Sequence, residues 1–193
     1  MEREIKIVEL ESTNERRKLR DKNIVILEGE VDYSCQEIME DFELLTTEGK
    51  KIIRLIISSE GGDMFDGLAI MRAIKKAQSN GIKVIGDVYG KAQSMAFLIL
   101  QCCDERAMGK YCSCMCHGVT TAMMGDIKDV DAQQKLLQKY QMDFARLIAD
   151  RSTAPAKSEY KEIGYWHAIL GDNTPQFYSA GECMAMGLID KIE

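Results

Sequence analysis

"KIIRLIISSEGGDMFDGLAIMRAIKKAQSNGIKVIGDVYG", residues 51–90, carries the reading of the fold. Residues 51–59 are nearly continuous in isoleucine and leucine, which predicts a strand buried on both faces. Two glycines follow. Phe65, Leu68, Ala69, Met71 and Ile74 then fall near one helical stripe, and Asn80-Gly81 closes it with a helix-ending signal. IKVIGDVYG (82–90) is a second apolar strand. Strand, helix, strand at this spacing predicts an α/β fold with a largely parallel sheet.

Working outward, NIVILEGEV (23–31) reads as a further strand and CQEIMEDFELL (35–45) as an amphipathic helix. SMAFLILQCC (94–103) is a helix or buried apolar segment, and YCSCMCHG (111–118) alternates as a strand does. Residues 126–153 carry a long helical pattern with Val130, Leu137, Tyr140, Phe144, Leu147 and Ile148 on one side. Shorter helical stretches follow near 156–170 and 179–187, and LIDKI ends the sequence. With two prolines and no low-complexity tract, no linker interrupts the chain, and residues 1–193 read as one domain.

The 193 residues are 46% hydrophobic and 29% charged, the balance of an ordinary soluble protein. A formal net charge of −6 argues against nucleic acid or an anionic membrane as partner, since both need a basic face. The first 22 residues mix charges and hold no signal-like apolar stretch, and no run is long enough to cross a bilayer. The reading is a cytoplasmic protein whose seven cysteines are free thiols.

In a parallel α/β sheet, sites form beyond the C-terminal ends of the strands. At the first such end, Gly61-Gly62 leaves backbone N–H groups uncovered near a helix start, suited to an oxyanion. Taken alone the pair reads as a tight turn. It lacks the G-x-G-x-x-G spacing of a dinucleotide site. At the second end, Ser94 stands where a strand gives way to a helix. That is a place for a nucleophile, with the Met95 N–H beside it as oxyanion donor, and equally a place for a helix cap. A serine nucleophile needs a base, and the chain has two histidines. His117 ends the alternating strand, whereas His167 lies in an aromatic-rich helical stretch. Asp172, in a loop past that helix, is a carboxylate available to orient the base.

Three cysteines two residues apart, followed by His117, invite a zinc reading. Alternation opposes it. Cys112, Cys114 and Cys116 share one face of a strand and His117 takes the other. Successive thiols on that face are about 7 Å apart, while zinc holds its sulfurs at about 2.3 Å. The cysteines read as core packing, with no metal.

With Ser94, His117 and Asp172 in that order, the chain resembles the ClpP family of self-compartmentalised serine peptidases from about residue 23 to its end. ISSEGGDMFDGLAI is similar to the family's Asn-Ser-Pro-Gly-Gly segment and following helix. GKAQSMAFLIL is similar to its nucleophile turn, YCSCMCHG to the strand ending in its catalytic histidine, and FYSAGECMAMGLIDKI to its C-terminal segment. The resemblance implies the ClpP/crotonase spiral of β-β-α units, with a strand and protruding handle helix over about 118–150. It implies Ser94 as nucleophile, His117 as general base and Asp172 as its partner, with the Gly62 and Met95 N–H groups as oxyanion hole. No cofactor is implied. The implied activity is an ATP-independent serine endopeptidase core cleaving unfolded polypeptides or peptides. Its chamber would be a homo-oligomeric double ring of heptamers, fed by an AAA+ unfoldase, with 118–125 pairing with an extended substrate.

The chain departs from the family at four places. Glu60 replaces the proline before Gly-Gly, which puts a carboxylate near the implied oxyanion hole. Gly118-Val119 replaces the usual Gln-Pro. The acid segment is one residue short, which makes Asn173 the rival to Asp172. Residues 1–22 do not resemble the axial loops. A phage-type capsid-maturation protease accommodates these departures. A catalytically decayed ring subunit, a crotonase-type acyl-CoA enzyme, and a Ser-Lys peptidase using Lys91 are the remaining alternatives.

Overall fold

The computed structural model describes residues 15–122, 124–172 and 174–193. Residues 15–21 are helical (α1). There follow β1 (Ile24–Val31), α2 (Gln36–Thr47), β2 (Ile52–Gly62), α3 (Met64–Ser79), β3 (Lys83–Gln93) and α4 (Met95–Gln101). Next come β4 (Glu105–Met108), β5 (Ser113–Cys116), α5 (Ile127–Arg151), α6 (Ile163–Gly171), β6 (Gln176–Ser179), α7 (Ala180–Ala185) and β7 (Lys191–Ile192). The chain is mixed α/β with a mostly parallel sheet in the order β1-β2-β3-β4-β7.

β3 exchanges partners along its length, and this places the site. Ile85–Val88 pair with β4, whereas Lys91–Gln93 pair with β5. Between them Gly90 takes a φ of +109°, a conformation that favours glycine, and donates its N–H to the Cys112 sulfur at 2.9 Å. β5 then pairs antiparallel with β6, so the sheet splays into a second layer of strands.

α2, α3 and α4 pack on one face of the sheet, over Val25, Leu27, Ile53, Leu55, Ile57, Val84 and Val88, which are all but fully buried. The 51–59 segment differs here from the sequence expectation of a strand buried on both faces. β2 buries alternate residues only, and Ile52 on its other face is 46% exposed. α2, α3 and α4 lie on the inner side, and on the outer one Ile26 and Ile52 stay partly exposed. Arg54 on that face reaches the buried Asp87 at 2.5 Å. Burial pushes the Asp87 carboxyl above its ordinary value, against the pull of Arg54.

α5 begins with Asp126 capping the Lys128 and Asp129 N–H groups. Residues 127–139 are exposed apart from Val130 and Leu137, and burial starts at Phe144. The helix therefore anchors by its C-terminal turns, through Phe144, Ala145, Ile148 and Ala149, and its first half stands clear of the body. Among the described residues no helix is long and apolar enough to cross a membrane.

Candidate functional site

The sequence places two strand ends side by side. β2 ends in Gly61-Gly62 and β3 runs into Ser94. Gly61 has a φ of +87° and lies against the serine turn. A Cβ added there would come within 2.6 Å of the Gln93 carbonyl oxygen, 2.7 Å of the Ser94 Cβ and 2.8 Å of the Met95 nitrogen. Only glycine fits this contact. Gly62 has a φ of +151°, and its Cβ would collide with the Val31 backbone. Two further bonds hold the loop: the Ser59 hydroxyl accepts the Gly61 N–H at 3.1 Å, and the Val31 carbonyl accepts the Asp63 N–H at 2.7 Å.

Ser94 occupies the residue before α4, yet its hydroxyl makes no capping bond. Its backbone takes φ 52° and ψ −120°, rare for a residue with a Cβ and costing on the order of 1–3 kcal/mol. This is the sharp strand-to-helix turn that presents a side chain at the mouth of a sheet. Its carbonyl already accepts from Phe97 and Leu98. The Met95 N–H, in the first turn, has no partner within the helix.

The Ser94 N–H donates to the Met115 carbonyl at 2.8 Å, which continues the β3–β5 register one step. Two residues past Met115 stands His117. One cavity of about 200 Å³ has Gly62, Ser94, Met95 and His117 in its wall. Leu98, Leu137, Phe144 and Leu170 supply its apolar lining. Phe65, also in the wall, packs edge-on to Tyr140 with ring centroids 6.3 Å apart, and Tyr140 stacks on Phe144. The sequence reading did not single out these wall residues as pocket-forming. They look like ordinary core positions on four helices, and only the packing of α3, α4, α5 and α6 shows that they share a cavity.

His117 Nδ1 lies 2.6 Å from the carbonyl oxygen of its own neighbour, Gly118. Asp172 lies elsewhere. It follows the last turn of α6, is exposed, and donates its N–H to the Ala168 carbonyl. Among the described residues no hydrogen bond joins it to His117, and it is not part of the pocket wall. Asn173 lies outside the described residues. His167 is half-buried on α6, away from the cavity.

Glu60 points away from the cavity that holds Ser94. It alternates outward on β2 and pairs with Lys91 at 3.2 Å, both side chains close to half exposed. Hydrogen bonding from its own N–H and from Lys91 holds its carboxyl below the ordinary value. Asp63, which does line the pocket, caps α3 by accepting the Phe65 and Asp66 N–H groups.

The cysteines follow the predicted alternation in part. Cys114 and Cys116 are buried on β5, whereas Cys112 lies before the strand, half-buried, its sulfur accepting the Gly90 N–H. Burial pushes the Cys116 thiol up to about 11, and the Cys183 thiol together with burial raises Cys114 well above its usual value. Such thiols stay protonated at neutral pH and make poor metal ligands or nucleophiles. Among the described residues no cluster of three or more His, Cys, Asp or Glu could hold a metal ion.

In a comparison with known families, the model of the Clp protease family matches residues 8–193.

Proposed function

We propose, from the premise that the chain belongs to the Clp protease family, that Ser94 and His117 are the reacting pair of a serine endopeptidase. The observation that carries this is the strained Ser94 turn, its hydroxyl uncapped, sharing one cavity with His117. In the proposed reaction Ser94 Oγ attacks the carbonyl carbon of a peptide bond while His117 Nε2 takes the hydroxyl proton. The Gly62 and Met95 N–H groups receive the negative oxygen of the tetrahedral intermediate. Its collapse breaks the C–N bond, and His117 returns the proton to the leaving amine. Water, activated by the same imidazole, then releases the acyl group from Ser94.

The substrate in this reading is an extended peptide laid along Gly118–Thr121, with one apolar side chain in the cavity between Leu98, Leu137, Phe144 and Leu170. A single-domain subunit, an ATP-independent peptidase chamber of stacked heptameric rings, an AAA+ unfoldase partner and a cytoplasmic location belong to the same proposal. Particle size in solution tests the ring, and a monomer would contradict it. Asp172, the acid that the resemblance assigns, is not needed for the pair to face one cavity.

The exposed position of Asp172 favours a second reading, a catalytically decayed ring subunit. A serine-reactive phosphonate separates the two. A peptidase takes one label, found by mass at Ser94 and absent from Ser94→Ala. A decayed subunit takes none.

A further inference from the structure

We infer that Gly67, inside α3, positions the Met95 N–H as an oxyanion donor by leaving the space in which the Met95 side chain sits. The inference rests on the hydrolytic reading above and concerns how one arm of its oxyanion hole is held. Gly67 is a positioning residue that acts through Met95.

Gly67 is the fourth residue of α3, is buried, and keeps an ordinary helical backbone. Its N–H makes a first-turn bond to the Asp63 carbonyl at 3.1 Å. Nothing in that conformation calls for glycine, which weakens a helix relative to alanine. The space around it does. A Cβ added at Gly67 would lie 2.2 Å from Met95 Cγ, 2.8 Å from its Cε and 2.9 Å from its Sδ. The methionine side chain therefore lies along the α3 backbone, in the gap left by the missing methyl. Its Cγ is one torsion from the main chain and cannot yield as the tip of a long side chain can. Moving it takes a new χ1 or a shift of the first turn of α4. Met95 is 4% exposed, so either movement meets packed neighbours, except toward the cavity that Met95 lines.

The same residue is held from a second direction. A Cβ at Gly61 would come within 2.8 Å of the Met95 nitrogen. Gly61 thus packs on the backbone of Met95 and Gly67 on its side chain, and six residues of chain separate the two contacts. The Met95 N–H, free of any partner within the helix, takes its direction from this seat. An oxyanion donor is effective only when it is in place before the charge develops, so a shift of the seat is felt in the transition state.

The test uses the full chain as wild type, Gly67→Ala, Met95→Ala and the double variant. The readouts are kcat and KM on a short fluorogenic peptide, the rate of labelling by a serine-reactive phosphonate, and thermal unfolding. In Gly67→Ala, kcat and the labelling rate each fall about tenfold or more, while KM changes by less than about threefold, because the donor acts on the transition state and not on the bound peptide. In the double variant the shortened side chain makes room for the methyl, and kcat is higher than in Gly67→Ala alone. If Gly67→Ala shows no unfolding transition, the double variant is compared with Met95→Ala: an equal or higher kcat supports the inference, and a further tenfold loss overturns it. The inference is also overturned if Gly67→Ala keeps the wild-type kcat and labelling rate, if KM alone rises because the methionine has turned into the cavity, or if the two single losses multiply in the double variant. If the wild type itself takes no phosphonate at Ser94, the hydrolytic reading falls and the inference with it, whereas a labelled wild type beside an unaffected Gly67→Ala overturns the inference alone.

Discussion

Ser94 and His117 face one cavity from neighbouring strands, and the constraints on them differ in kind. Ser94 is held by backbone packing that tolerates no side chain at Gly61, by its own N–H on the Met115 carbonyl, and by a helix whose seven residues are all buried. His117 stands past the end of its strand, half-buried, with one bond from its ring to the next carbonyl. The proposed nucleophile is held by the fold at several points, whereas the proposed base has one local contact. Strain of the kind seen at Ser94 persists only where surroundings of that rigidity impose it. The histidine side carries no comparable strain: among the described non-glycine residues only Asn23 and Ser94 take a positive φ.

The contrast can be broken at four places of decreasing effect. Replacing the base, His117→Ala, removes proton transfer altogether and is expected to lower kcat for a short peptide by a factor of 10⁴ or more, on the order seen when any member of such a unit is deleted. Gly61→Ala attacks the rigid wall. The added methyl must displace the Gln93 carbonyl or the Ser94 turn, which costs about 2–4 kcal/mol in denaturant unfolding. The displaced nucleophile loses about a hundredfold in kcat.

Thr120→Val acts on the softer wall. It removes the weak second donor on the Gly118 carbonyl and leaves that oxygen to the ring. Rates of peptide hydrolysis are expected to change by less than about threefold. Lys91→Ala leaves the Glu60 charge unpaired two residues from Gly62. An exposed pair of this kind contributes little, so stability is expected to stay unchanged, and kcat falls about twofold at low salt and not at high salt.

The parallel βαβ frame was legible because residues 51–90 combine unbroken apolar runs with a glycine-marked turn and a helix-ending Asn-Gly. Ser94 was legible as a residue between strand and helix, although as a serine there it is also a natural cap. In the structure its hydroxyl makes no capping bond, which speaks against the cap role. β4 was not legible. It contains Glu105 and Arg106, and a charged pair does not read as a buried strand. Arg106 is nevertheless 0% exposed, because Asp190 and Gln101 satisfy its guanidinium. Burial opposes ionisation of Asp190, but the Arg106 bonds outweigh it and hold the carboxyl below its ordinary value. The depth of β2 was overestimated for the converse reason: a run of isoleucines is read the same way whether or not a second layer covers it.

Hydrolysis of short fluorogenic peptides by the wild-type chain and by Ser94→Ala tests the central claim most directly. The account predicts turnover by the wild type, carried by one serine, and none above background in the variant. Equal rates in the two would contradict it.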